Sequence, residues 1–420
     1  MKQETAFQIL REHYNVFLTG AAGTGKTYLL NQYIDYCKKN DIKVAVTAST
    51  GIAATHLGGR TIHSWSGIGI ADTMGQKEIN KLLKRPGFKK RLVETDVLII
   101  DEVSMLHASQ LDLINQILRL ARSSWESFGG MQVVLSGDFF QLPPIRKKDE
   151  KKAKFVYESQ SWKEMDIKIC YLTRQFRQNE DDIMEVLQNI RDNKVDENTF
   201  ALLDDAKDRV LEDYIEPTRL FTHNAKVDII NKKKLDKIEG EARAFYMEDD
   251  GVDAVVNALK NGCLAPEELL LKEGAVVMFV RNNFEVGYVN GTTGTVIDFD
   301  DDGFPIIETF DGEEIVVYPE KWSIAEENKT LAEISQLPLR LAWAITVHKS
   351  QGMTLDSAEI DLSRSFEYGM GYVALSRVRT LNNMRLLGIN EIALAVNPDI
   401  IKMDKKFQKQ SKKLEKQFNN

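Results

Sequence analysis

Residues 20–27 read Gly20-Ala21-Ala22-Gly23-Thr24-Gly25-Lys26-Thr27 and meet every fixed position of the pattern G-x-x-x-x-G-K-[ST]. Before it, Val16-Phe17-Leu18-Thr19 is an apolar run of strand type; after it, Tyr28-Leu29-Leu30-Asn31-Gln32-Tyr33-Ile34 reads as a helix. A strand that ends in a glycine loop and restarts as a helix is the entry unit of an α/β fold. The loop's backbone N–H groups close around phosphate oxygens, and the new helix turns its positive end toward them. Residues Gly20 through Thr27 are therefore the candidate phosphate cradle for ATP. Lys26 would reach the β- and γ-phosphates, and the Thr27 hydroxyl would ligate Mg²⁺.

A second signature follows about 75 residues later. Val97-Leu98-Ile99-Ile100 is a continuous apolar run of the kind buried on both faces of a parallel sheet, and it ends in Asp101-Glu102. Carboxylates at that end of a strand sit where α/β sheets hold their ligands. Asp101 is expected to hold Mg²⁺ with Thr27, and Glu102 to position or deprotonate the attacking water. A third strand, Met131 to Ser136, runs on through Asp138 to Gln141 before Pro143-Pro144 breaks it. Gln141 is placed to sense the γ-phosphate.

Composition narrows the remaining choices. The chain has 420 residues, 43% of them hydrophobic, enough for two to four domains with real cores. No apolar stretch approaches a membrane span, and the opening residues resemble neither a secretory nor a transit signal. Cys37, Cys170 and Cys263 lie far apart, which fits a reduced cytoplasmic compartment and neither a zinc site nor a disulfide framework. The net charge of −8 is unevenly spread. Residues 401–420 hold seven lysines against one aspartate and one glutamate, a net +5, so the other 400 carry −13.

With these segments read, the rest of the chain resembles the petite-integration-frequency (PIF) helicases of superfamily one, close to the RecD- and Dda-type enzymes. Val46 to Ala54, with Gly59-Arg60-Thr61-Ile62-His63-Ser64-Trp65, looks like motif Ia of that family. Leu172 to Gln178 looks like motif IV, Ala344 to Thr354 like motif V, and Tyr372 to Arg379 like motif VI. The resemblance covers nearly the whole chain in order. It implies a role for Gln3 in reading adenine, and places Gln351 and Gly352 at the nucleotide. A P-loop leaves the far side of the γ-phosphate uncovered, and an arginine from another domain can cover it. Arg177 and Arg377 are the candidates.

The family pattern also sets the expected architecture: α/β, two RecA-like P-loop domains, a small wedge insertion in the first and an SH3-like β-barrel insertion in the second. Residues 1–66 and 91–165 read as the first RecA-like domain. The polar, basic stretch 67–90 is the wedge, with Phe88 either a stacking residue or a packing anchor. Residues 166–271 and 325–400 read as the second domain, and 272–324 as the barrel, because short strands alternate there with Gly/Asp turns. Residues 401–420 form a basic tail. It is either a solvated terminus or an electrostatic arm on nucleic-acid phosphates.

Two RecA-like domains leave a groove in which a single strand is held by phosphate contacts and base stacking. Thr50, His63 and Trp65 are the candidates from the first domain, with Trp65 alternatively core. Thr222, His223, Asn224, Thr346, His348 and Lys349 are the matching set from the second. The resemblance thus implies an ATP-dependent DNA helicase moving 5′→3′ on single-stranded DNA, a monomeric core acting at single-strand/double-strand junctions, with no membrane partner. Its implied roles are repair, recombination, replication or telomere maintenance. The alternative is a single-strand-stimulated ATPase or translocase without robust unwinding.

Overall fold

The computed structural model describes residues 1–69, 71–85, 87–145, 153–176, 181–207, 209–211, 216–223, 227–283, 285–326 and 329–418. The chain folds as two compact units. One comprises Met1–Phe176, Glu326–Asn328 and Pro398–Asn420; the other comprises Arg177–Ala325 and Lys329–Asn397. No helix among the described residues is long and apolar enough to cross a membrane.

The first unit is built on six parallel strands: β1 (Val16–Gly20), β2 (Val44–Ala48), β3 (Arg60–Thr61), β4 (Val97–Asp101), β5 (Gln132–Ser136) and β6 (Lys168–Leu172). Their spatial order is β3-β2-β4-β5-β1-β6. Strands β1, β4 and β5 are buried throughout, as the unbroken apolar runs require of strands covered on both faces. The helices named here are α1 (Gln3–Arg11), α2 (Lys26–Lys39), α3 (Gly51–His56), α4 (Ile62–Trp65), α5 (Gln76–Leu83), α6 (Phe88–Glu94) and α7 (Ala108–Arg122).

Two boundaries differ from the sequence reading. The first unit does not stop at residue 165. Strand β6 pairs with β1 over five residues, from Val16↔Lys168 to Gly20↔Leu172. Residues 398–418 are not a free tail. Pro398–Phe418 is a helix whose Phe407 enters an aromatic cluster with Phe17 (5.3 Å), Phe139 (6.1 Å) and Trp162 (6.0 Å). Ser411 Oγ of this helix accepts a hydrogen bond from the Tyr171 N–H (3.0 Å), and Leu414 joins the core around Leu10, Val16 and Leu29. The ragged apolar positions of the lysine-rich segment are thus the core-facing side of a helix that covers the β6 edge.

In the stretch 67–90, α5 and the start of α6 carry the expected basic residues, but Phe88 is buried, with the Arg91 guanidinium 5.0 Å over its ring. It is a packing anchor. A stacking residue needs an open face, which this ring lacks.

The second unit has four parallel strands, β7 (Thr218–Phe221), β18 (Ala344–Thr346), β19 (Ala358–Leu362) and β20 (Met384–Ile389), in the order β18-β7-β19-β20. Between β7 and β18 the chain is dominated by short β-structure. Strands β8 (Arg243–Tyr246) and β10 (Glu268–Leu271) pair with each other. Strands β9 (Glu248–Gly251), β15 (Glu320–Glu326) and β16 (Lys329–Gln336) form a three-stranded sheet. An antiparallel sheet is made by β11 (Val276–Phe279), β12 (Thr293–Phe299), β13 (Pro305–Thr309), β14 (Glu314–Val316) and β17 (Leu339–Leu341). The β-rich insertion therefore reaches beyond 272–324, because β8–β10 precede that span and β16 and β17 follow it.

Candidate active site and nucleic-acid interface

The phosphate cradle is built by conformation before chemistry. Gly23 (φ 82°) and Gly25 (φ 79°) hold the left-handed region that glycine occupies without strain. Gly25 is the N-cap of α2 and offers no side-chain cap, and the positive end of that helix begins at the loop. Lys26 Nζ folds over the loop, donating to Gly20 O (2.9 Å) and Ala21 O (3.1 Å), while Thr24 Oγ1 donates to Ala21 O (2.9 Å). Thr27 is exposed in the first turn of α2.

Strand β5 lies between β1 and β4, so Asp101 at the end of β4, Glu102 after it and the polar turn after β5 fall at the same sheet edge as the loop after β1. Asp101 is buried; burial raises its pKa, and the Lys26 ammonium is among the neighbours that oppose the rise. Glu102 takes a left-handed conformation (φ 52°), unusual for a residue with a side chain, and its carbonyl accepts from Ser49 Oγ (2.6 Å). Gln141 is buried in the turn after β5, its N–H donating to Asp138 O (3.0 Å). A buried carboxylate and an exposed hydroxyl are hard oxygen donors, the set that suits Mg²⁺.

Gln3 opens α1 and turns to the loop: its Nε2 donates to Thr24 O and Gly25 O, both at 3.3 Å. It lines a cavity of about 1020 Å³ with Thr24, Gly25, Tyr28, Arg174 and Phe176. The Phe176 N–H donates to Gly23 O (2.9 Å), and the Arg174 guanidinium lies 4.9 Å over the Phe176 ring. An amide beside two half-open aromatic rings is the chemistry that recognises a flat, hydrogen-bonding base.

The nucleic-acid candidates follow other strands of the same two sheets. Thr50 follows β2 and caps α3, its Oγ1 accepting from Ala53 N–H (3.2 Å). His63 lies on α4 after β3, its Nε2 at 3.3 Å from Gln110 Oε1; burial lowers its pKa. In the second unit Thr222 and His223 follow β7, and Thr346, His348 and Lys349 follow or end β18. Thr222 Oγ1 lies 2.8 Å from His223 Nδ1, and the Lys349 N–H donates to Thr346 Oγ1 (3.3 Å). Burial and then the charge of His223 lower the pKa of His348, although its residue surface is largely open. Gln351 and Gly352 (φ 84°) continue into the next turn.

The PIF1-like helicase profile matches residues 2–199, and the DNA helicase Pif1 2B-domain profile matches residues 255–299. The ATP-dependent DNA helicase Pif1 of Psychrobacter sp. (strain PRwf-1) is 42% identical over 476 residues, covering 100% of this chain and 72% of its own length. The chain belongs to the PIF1-like helicase family. It spans 62–63% of the length of relatives from Xenopus laevis, Danio rerio and Homo sapiens. Bacteroides sp. Pif1 with ADP-AlF4 superposes with a TM-score of 0.84 at 32% identity, covering 97% of this chain and 96% of that one. Bacteroides Pif1 with ADP-AlF3 and ssDNA gives 0.65 at 32% identity, over 97% and 96%.

Two expected site residues have other surroundings than the sequence suggested. Trp65 is 3% exposed, so its ring has no face to lay against a base; it belongs to the core. Arg377 is 1% exposed, and its fork is spent inside its own unit. Nε donates to Val373 O (2.7 Å), Nη1 to Ser350 O (3.2 Å) and Met353 O (3.0 Å), and Nη2 to Ser376 Oγ (2.7 Å). A buried guanidinium must satisfy its donors, and the motif V carbonyls are at hand. In this conformation Arg377 ties motif V to motif VI; it does not stand free as a finger. Arg177 and Asn224 lie outside the described residues.

Sequence reasoning misses three aromatic residues. Tyr28 and Phe176 line the cavity beside Gln3. Phe366 follows β19, is 53% exposed, and lies 4.9 Å from His223 and 6.5 Å from His348, ring centre to ring centre. The signal that could have found Phe366 is an aromatic residue just past Ala358-Glu359-Ile360-Asp361-Leu362, at the strand end where its neighbours' functional residues also lie.

Proposed function

We propose that this chain is an ATP-driven DNA helicase that moves 5′→3′ on single-stranded DNA and parts duplex at single-strand/double-strand junctions. Family membership supports the activity. The observation that carries it is the convergence of Lys26, Thr27, Asp101, Glu102 and Gln141 at one sheet edge. The cradle holds the phosphates. Thr27 and Asp101 would hold Mg²⁺, which when bound neutralises charge on the β- and γ-oxygens. Lys26 leaves the loop carbonyls for the phosphates, Glu102 orients the attacking water, and Gln141 senses the γ-phosphate. Gln3, Tyr28 and Phe176 take the base. Arg177 and Arg377 are proposed to add positive charge from the second unit, Arg377 after giving up carbonyl partners.

DNA is proposed to run over Thr50 and His63 in the first unit and over Thr222, His223, Asn224, Thr346, His348 and Lys349 in the second, with Phe366 stacking a base. Hydroxyl and amide contacts to phosphate carry no sequence information, so binding is sequence-tolerant. A monomeric core in a reduced cytoplasmic compartment, serving repair, recombination, replication or telomere maintenance, completes the reading; the three unpaired cysteines are consistent with that compartment.

One observation favours a second reading, an ATPase that translocates without robust unwinding. Among the described residues of 67–90, no large apolar side chain is exposed, so that stretch presents no evident pin. Duplexes carrying either a 5′ or a 3′ single-stranded tail decide. ATP-dependent separation of the 5′-tailed substrate alone is expected. Separation of neither, with single-strand-stimulated phosphate release intact, selects the second reading.

A further inference from the structure

We propose that the exposed face of the last helix, Pro398–Phe418, is a second DNA-binding surface, separate from the single-strand groove, that takes the phosphate backbone of duplex DNA. Lys402, Lys405, Lys406, Lys409, Lys412, Lys413 and Lys416 are all exposed. At 100° per residue they fall within an arc of roughly 120° and extend for roughly 21 Å along the axis. The opposite side is the packed one, with Ile400, Phe407, Ser411 and Leu414 buried. The helix cannot turn its lysines inward without losing that core.

The two carboxylates that lie between Lys402 and Lys416 are used elsewhere. Asp404 Oδ2 accepts from Tyr171 OH (3.2 Å) and Gln408 Nε2 (2.7 Å), and Glu415 Oε1 accepts from the Lys2 N–H (3.1 Å). Among the described residues none of the seven lysines forms an ion pair with a carboxylate. This cationic stripe stands on a chain whose other 400 residues are net acidic. A fixed line of positive charge under those conditions selects a polyanion.

Duplex fits better than single strand. Sequence-tolerant single-strand sites combine positive charge with aromatic platforms for the bases. The lysine arc contains no aromatic residue, so it offers phosphate contact alone, which suits a ligand whose bases are already stacked away. Its length matches about six phosphate steps of one duplex strand. The helix is already folded and packed through Phe407, Ser411 and Leu414, so little ordering cost is added on binding.

The test uses the full chain with Lys405→Gln, Lys409→Gln, Lys412→Gln and Lys416→Gln combined, and a matching set of Lys→Arg changes. The probe is a blunt-ended 20-base-pair duplex of arbitrary sequence, titrated by fluorescence anisotropy across a salt series. The glutamine variant should bind at least tenfold more weakly at low salt. Its slope of log K against log[salt] should be shallower by up to about 3.6, near 0.9 for each of the four phosphates that the variant no longer neutralises. The arginine variant should match the wild type. Affinity for an oligo-dT strand and turnover saturated with that strand should not change, so failure here is distinguishable from failure of the helicase reading. An unchanged duplex slope overturns the proposal, leaving the face to water or to an acidic protein. An equal loss for duplex and oligo-dT also overturns it, because the stripe would then belong to the single-strand path.

Discussion

Single side chains separate roles that the sequence left superposed. Lys26 donates to the loop carbonyls Gly20 O and Ala21 O, and its side chain lies outside the apolar core. Lys26→Ala should abolish ATP hydrolysis and leave single-strand affinity largely intact, read as phosphate release alongside oligo-dT binding. Trp65 and Phe366 make a second contrast, since one ring is buried and the other half open. Trp65→Ala should destabilise the first unit by about 3–5 kcal/mol, seen in denaturant melts, with little direct effect on DNA contact in the protein that remains folded. Phe366→Ala should leave melting near wild type and weaken oligo-dT binding by about 1–3 kcal/mol if it stacks on a base. A variant of Phe366 with unchanged affinity would remove it from the proposed DNA path. The sequence singled out Trp65 without deciding between base contact and core, and passed over Phe366, because exposure is decided by what packs around a ring.

At the level of the element, α3 carries a pH liability. His56 sits at its last turn with Nε2 buried and without a hydrogen-bond partner, and burial pushes its pKa down to about 4 from the ordinary 6.5. The folded imidazole stays neutral while the unfolded one takes a proton. Stability is therefore full above pH 6.5 and falls as pH drops toward 4, by at most about 3 kcal/mol from this group. His56→Leu should narrow that fall, measured as unfolding free energy at a series of pH values; parallel curves for the two proteins would show that other groups cause it. The last helix teaches the complementary lesson. Its lysine spacing is legible as a stripe, but its apolar positions Phe407, Leu414 and Phe418 look too sparse in the sequence to define a buried face. They suffice because Phe17, Phe139, Trp162 and Tyr14 supply the other half of the aromatic contacts.

Across the whole molecule, the first unit is assembled from both ends of the described chain, with the second inserted between them in sequence. Calorimetry should resolve two transitions. A non-hydrolysable ATP analogue at 100 times its Kd should stabilise the P-loop unit by about 2.7 kcal/mol. Truncation after Asn397 should lower that same transition and impair ATP turnover, because it strips the β6 edge and opens the aromatic cluster. A truncated protein that melts like the full chain would mean that Phe407 and Ser411 contribute little.

The sequence by itself determined the local chemistry: the glycine loop, the apolar strand with its terminal carboxylates, the ordered family motifs and the alternation of strand and helix patterns. These signals are short-range, since a phosphate cradle is set by backbone conformation over eight residues and a buried parallel strand by an unbroken apolar run. Only the tertiary structure decided that β6 belongs to the first sheet, that Arg377 is committed to motif V carbonyls, that Trp65 is core and Phe366 open, and that the lysine-rich segment is half core and half charged face. Each of those depends on partners distant in the chain or on which face a neighbour covers. A single chain's residue pattern states what a side chain can contact, and only packing states what it does contact.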